Sequence, residues 1–185
     1  CKLSSLSEKE IKKRMKFTNI QDINTVLNLG KSISLYLGHY GNWEWVSSMP
    51  LHLEKNAVAS QIYHEIKNKA IDRLMFENRS RFGAINVEMK KTSRWINTQV
   101  KNQSVTITGY ITDQSPRKKE IQYYTQFLNH DTPVLVGTEK ITKRYNMEAY
   151  YLEIKRKKRG YYEAYFIEMH KKPYLLPDFQ LTDIY

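Results

Sequence analysis

The 185 residues predict an α/β fold, with a mainly parallel sheet flanked by helices and a C-terminal antiparallel hairpin. Three observations carry this. Amphipathic helical stretches alternate with short period-two apolar runs along most of the chain, which is the pattern of parallel strands joined by helical crossovers. The last two apolar runs are separated only by Lys155-Arg156-Lys157-Lys158-Arg159-Gly160, which reads as a hairpin with a very basic tip. A hydrophobic fraction of 41%, spread along the chain, belongs to a folded globular protein.

Taken in order, Ser7-Glu8-Lys9-Glu10 is a capping box that opens a short basic helix to about residue 16. A second helix covers 20–29, with Ile23, Val26 and Leu27 on one face and Gly30 as its stop. Residues 32–37 alternate as a strand, and Gly38-His39-Tyr40-Gly41 follows as a tight loop. Asn42 is placed to cap a helix carrying Trp43, Glu44, Trp45 and Val46, which Pro50 ends or kinks. A strand at 57–63 precedes a helix at 68–82, whose apolar side is marked by Ile71, Leu74, Met75 and Phe82. A strand at 84–87, a helix at 92–101 and a strand at 105–111 come next. The polar stretch 113–131 is long enough to be functional rather than a simple connection. Pro133 suits the start of a helix running to about 145. Strands at 148–154 and 161–168 make the final hairpin.

The formal net charge is +11, which points to an anionic partner: phospholipid, lipopolysaccharide, nucleic acid or a phosphorylated carrier. The single cysteine, Cys1, excludes an intrachain disulfide and suits a reducing compartment. No run of about 18 apolar residues occurs, so membrane contact by this stretch is expected to be peripheral. The remaining histidines, His52, His64, His130 and His170, have no metal-ligand spacing, and no metal or other cofactor is expected.

His39 follows the carboxyl end of a predicted strand, where ligands bind in open α/β sheets. Glu44, about one helical turn further on, is placed to bend back, accept the Nδ1 proton and leave Nε2 as a base. This is a Ser-His-Asp triad without its serine, completed by a hydroxyl of the substrate. The alternative is a histidine filling a turn beside a solvated glutamate. Gly38 and Gly41 around the ring and the bulk of Trp43 and Trp45 favour the site.

Gly38-His39-Tyr40-Gly41-Asn42-Trp43-Glu44 resembles the His-x4-Asp/Glu block of the glycerolipid acyltransferase superfamily. It is most similar to the lipid A biosynthesis acyltransferases, the lauroyl and myristoyl transferases of Gram-negative bacteria. Tyr63-His64, Asn68, Asp72, Arg79, Arg81 and Gly83 resemble that family's Tyr-x-Pro…Asn…Asp…Arg-x-Arg segment, with Glu65 standing where the proline would be. Ile111-Thr112-Asp113-Gln114 resembles its Ala-Asp-Gln block, and Gln126-Phe127-Leu128 the Phe-Phe-Gly that follows.

The resemblance implies a glycerolipid-acyltransferase-like fold and one acyltransferase domain over 1–185, lacking the family's N-terminal membrane anchor and its Trp-rich C-terminal segment. It implies His39 as the general base and Glu44 as its orienter. Arg79 and Arg81 become candidate phosphate or headgroup ligands, and Asp113 and Gln114 candidate substrate-binding residues; Asp113 could orient an arginine or the acceptor. Read without the resemblance, the two arginines are favourable cations at a helix C-terminus and Asp113 is a turn aspartate.

The implied reaction moves a fatty acyl group from an acyl-carrier-protein or acyl-coenzyme A thioester to a hydroxyl of an anionic lipid, at the cytoplasmic face of a bacterial inner membrane. The Tyr123-Tyr124…Phe127 cluster is an acyl-channel candidate or loop packing. The basic tip 155–159 suits anionic headgroups, an acidic carrier protein or plain solvation. Two other classes compete. A nucleic-acid-binding module would rest on charge and fourteen tyrosines, but no RNP-like block or recognition helix is present, so no nucleic acid is expected. A thioesterase-like hydrolase would use the same His and Glu with water as the acceptor.

Overall fold

The computed structural model describes residues 2–54 and 57–185; Cys1 lies outside them. After a 3₁₀ turn, Lys2–Ser5, the chain forms α1 (Glu8–Arg14), β1 (Met15–Phe17), α2 (Ile20–Asn28) and β2 (Ile33–Leu37). A 3₁₀ helix, Trp43–His52, leads to β3 (Ala57–Tyr63), α3 (Lys69–Ser80), β4 (Ile85–Glu88), α4 (Thr92–Lys101) and β5 (Val105–Ile111). A small hairpin, β6 (Tyr124–Phe127) with β7 (His130–Pro133), precedes α5 (Gly137–Arg144). The long hairpin β8 (Glu148–Lys158) and β9 (Tyr161–His170) and the short α6 (Gln180–Ile184) complete the chain.

Seven strands form one sheet in the order β1-β9-β8-β2-β5-β3-β4. Every neighbouring pair is parallel except β8 with β9, so the predicted mainly parallel α/β sheet with an antiparallel C-terminal hairpin is the fold. β2 lies at the centre between β5 and β8, and all five of its residues are buried, as expected of a strand covered on both faces. It shares a core with Ile11, Met15, Ile23, Ile107 and Leu152, which have essentially no exposure. Each such side chain contributes about 1.5–3 kcal/mol relative to an exposed position.

Ser7 caps α1 by accepting the Glu10 amide, as the capping box predicts. The helix stops at Arg14 rather than near residue 16, because Met15 and Phe17 are buried with Lys16 exposed between them. That two-residue period belongs to an edge strand on β9, and three residues are too few to show it in sequence.

Asn42 precedes a 3₁₀ rather than an α-helix and makes no side-chain cap bond. The Ser47 and Ser48 hydroxyls donate back to the carbonyls of Glu44 and Trp45, three residues earlier, and Pro50 lies inside the element. Local hydroxyl competition of this kind and the missing proline N–H both work against regular α-helix. Pro133 does not start a helix. It closes β7 opposite Tyr124, an edge position suited to a residue with no N–H, and α5 begins four residues later.

On α3 the predicted apolar stripe divides. Phe82 is buried, whereas Ile71 and Leu74 are about half exposed, as is Phe76. Helical periodicity located the helix but not what covers it. No helix among the described residues is long and apolar enough to cross a membrane.

Candidate functional site

β2 and β5 run parallel with Leu37 opposite Ile111. Two residues beyond each strand stand His39 and Asp113, so the register alone brings them to the same height at the carboxyl edge of the sheet. The His39 backbone N–H donates to Asp113 Oδ2 at 2.7 Å. The ring Nδ1 lies 2.6 Å from Asp113 Oδ1. A carboxylate can only accept, so Nδ1 carries the proton and Nε2 is the free basic nitrogen.

Burial pushes the Asp113 carboxyl upward, but the hydrogen bonds from the His39 amide and ring outweigh it and hold the group below its ordinary value. Asp113 is therefore ionised throughout the neutral range. Gly38 permits the approach: a Cβ there would stand 3.1 Å from Asp113 Oδ2. Gly41 turns the chain with φ +58°, and a Cβ there would meet the Tyr162 ring at 2.7 Å. Both glycines beside the histidine thus have a steric reason.

The expectation that Glu44 orients His39 is corrected by this geometry. Glu44 sits in the first turn of the 3₁₀ helix and reaches across to α3. Arg79 Nε and Nη2 donate to its two carboxylate oxygens at 2.9 and 2.7 Å, a bidentate pair. Both side chains are mostly buried, 14% and 19% exposed, so the fork is shielded from water. A guanidinium satisfies both oxygens at once, which a single imidazole N–H cannot do.

Trp43 links the two pairs. Its ring meets His39 edge-on at 5.0 Å, and Arg79 lies over it at 5.5 Å. Asp113, His39, Trp43, Arg79 and Glu44 therefore form one continuous row, from the ends of two strands, the 3₁₀ helix and the C-terminal turn of α3.

Arg79 joins the site as the partner of Glu44, rather than as an open phosphate ligand. Arg81, two residues on, turns elsewhere: Nη1 donates to the Leu3 carbonyl at 2.8 Å and the guanidinium lies over Phe82. Gln114 is exposed beside Asp113. The Tyr123-Tyr124…Phe127 cluster does not act as a unit. Tyr123 stacks on Phe179 at 4.3 Å and donates to Asp183, while Tyr124 and Phe127 face solvent. Among the described residues no group of three or more His, Cys, Asp or Glu side chains could hold a metal ion.

Sequence reasoning found both members of the His–Asp pair but did not join them. The signal was present: residues 39 and 113 each stand two positions past predicted strand ends, and adjacent parallel strands of a sheet end on the same side.

A His–carboxylate pair at the carboxyl edge of a mainly parallel α/β sheet is an arrangement able to support base-assisted transfer or hydrolysis. The chain belongs to the bacterial lipid A biosynthesis acyltransferase family, whose profile matches residues 1–173. That membership carries a general activity, acyl transfer from a donor to a lipid acceptor in lipid A biosynthesis. A comparison with curated proteins gives no match.

Proposed function

We propose that this protein transfers a fatty acyl group from a carrier thioester, on acyl carrier protein or coenzyme A, to a hydroxyl of an anionic lipid acceptor, with His39 as the general base. The observation that supports the reading best is the Nδ1–Asp113 contact of 2.6 Å within a chain of this family. Asp113 is the positioning residue: it holds the tautomer and stabilises the imidazolium once formed.

In the proposed reaction, Nε2 takes the acceptor's O–H proton while the oxygen attacks the thioester carbonyl carbon. The tetrahedral oxyanion collapses, the C–S bond breaks, and the imidazolium returns its proton to the departing thiolate, giving ester and free thiol. The enzyme needs no nucleophile of its own. For the oxyanion we propose the backbone amides at residues 41–43, where the 3₁₀ helix begins; one such donor is typically worth about 10²–10³ in rate.

Glu44 and Arg79 then act by holding Trp43, and through it the histidine turn. Removing either leaves the other charge stranded and mostly buried. Glu44→Ala and Arg79→Ala are each expected to lower stability by about 1–3 kcal/mol and to leave a reduced residual rate. Denaturant melts and steady-state kinetics on both singles and the double variant check this, with the double recovering part of the stability. A wild-type rate for Arg79→Ala beside a collapsed rate for Glu44→Ala would instead put Glu44 on the histidine.

The exposed apolar side chains Ile71, Leu74 and Phe76 of α3, and the +11 charge, suit contact with an anionic membrane, which we propose is the cytoplasmic face of the bacterial inner membrane.

The direct test supplies the protein with a radiolabelled acyl-carrier-protein thioester and a lipid extract, and identifies the product by mass spectrometry. An acyl ester on a phosphorylated lipid is expected. Free fatty acid alone would make the protein a hydrolase. Salt-sensitive DNA binding with no transfer from any thioester would move it to the nucleic-acid class.

A further inference from the structure

Beside the histidine turn lies a concave feature that the proposed proton transfer does not use. A cavity of about 560 Å³ is lined by Arg14, Asn42, Trp45, Arg156, Arg159 and Tyr162. Its apolar wall is Trp45 set edge-on to Tyr162 at 5.8 Å, and the same Tyr162 ring packs against Gly41 of the catalytic turn. Arg156 stands directly opposite Tyr162 in the β8–β9 ladder, so both side chains lie on one face of the sheet. Arg159 comes from the two-residue turn that follows.

The charges of the hairpin tip divide. Lys155 pairs with Glu153, Lys157 with Glu163, and Lys158 lies over the Tyr161 ring. Arg14 is held by Glu10, and Nη1 donates to the Gly160 carbonyl, which steadies the turn. Arg156 and Arg159 form no ion pair and no ring contact among the described residues. Two uncompensated guanidinium forks thus line a cavity that they share with the Glu10-paired Arg14 and the Asn42 amide, three residues from His39. Planar guanidinium forks lining one cavity with an amide donor suit a tetrahedral phosphate oxyanion.

We propose that this cavity binds a phosphate group of a substrate and so places that substrate against His39. The phosphate could belong to the lipid acceptor's headgroup or to the thioester's carrier arm. The binding claim stands on the cavity alone; its catalytic consequence rests on the acyl-transfer reading.

The test has two readouts. Inorganic phosphate is titrated by ³¹P NMR at fixed ionic strength into the wild type, Arg156→Gln/Arg159→Gln, and the charge-matched control Lys118→Gln/Lys119→Gln. The first pair should weaken the phosphate Kd about tenfold or more, with less than about twofold for the control, since bonds between charged groups dominate such affinity. In acyl transfer, the same pair should raise the acceptor's KM about tenfold, more than kcat falls. A rise in the thioester's KM instead assigns the phosphate to the donor. Unchanged phosphate binding, or equal loss in both double variants, overturns the site. If phosphate binding is lost as expected while the wild type transfers no acyl group, the site stands and the acyl-transfer reading falls.

Discussion

His39→Ala is expected to lower kcat for acyl transfer by about 10²–10⁴-fold, the usual contribution of a positioned general base. Stability should change by no more than about 1 kcal/mol, because the ring is 36% exposed and its partner equally so, and ion pairs of that exposure are worth little. The pairing of a large kinetic loss with an intact fold is what separates a catalytic histidine from one that fills a turn. Circular dichroism and thermal melts report the fold, and steady-state transfer from labelled thioester reports the rate. A purified His39→Ala protein that retains near-wild-type transfer removes His39 from the reaction.

Asp113→Asn should cost a comparable factor, about 10²–10⁴-fold in kcat, although it changes one heavy atom. The amide oxygen can still accept the His39 backbone N–H. Its NH₂ group, however, donates toward Nδ1 and favours the proton on Nε2, the wrong tautomer for a base; triads built on the same logic lose a comparable factor. The acid side follows from the same contacts. A carboxyl held below its ordinary value adds stability that is fully present above that value and is lost as pH falls through the lower, folded-state pKa. The turn should therefore hold across the neutral and mildly acidic range and loosen only below the ordinary aspartate range. A near-wild-type rate for Asp113→Asn, or a smaller loss than that of Glu44→Ala, would return the orienting role to Glu44.

Most elements were legible in the chain because each has a local cause. β3, β5 and α4 occupy residues 57–63, 105–111 and 92–101 as expected, and α3, capped by Asn68, lies within two residues of its predicted bounds. The misjudged elements depend on partners far away in sequence. β1 exists because β9 offers it an edge, and Pro133 ends a strand because Tyr124 lies opposite. The basic run after residue 154 belongs mostly to the β8–β9 ladder rather than to a loop, since Glu153 and Glu163 neutralise two of its lysines. Spacing places residues on a face; it does not say which face another element covers, which is why Ile71 and Leu74 of α3 were expected inside and stand exposed.

By itself the sequence determined the family, the mainly parallel sheet and the small set of residues from which a site could be built: His39, Glu44, Arg79 and Asp113. Which carboxylate pairs with which side chain was decided only by the tertiary structure. Glu44 is five residues from His39 and Asp113 is 74, so sequence proximity favoured the first. A short 3₁₀ helix carries Glu44 toward the Arg79 guanidinium, while the in-register ends of β2 and β5 deliver Asp113 to the imidazole. Strand register acts between segments that no local pattern connects, and here it sets which ring nitrogen of the candidate base faces the carboxylate.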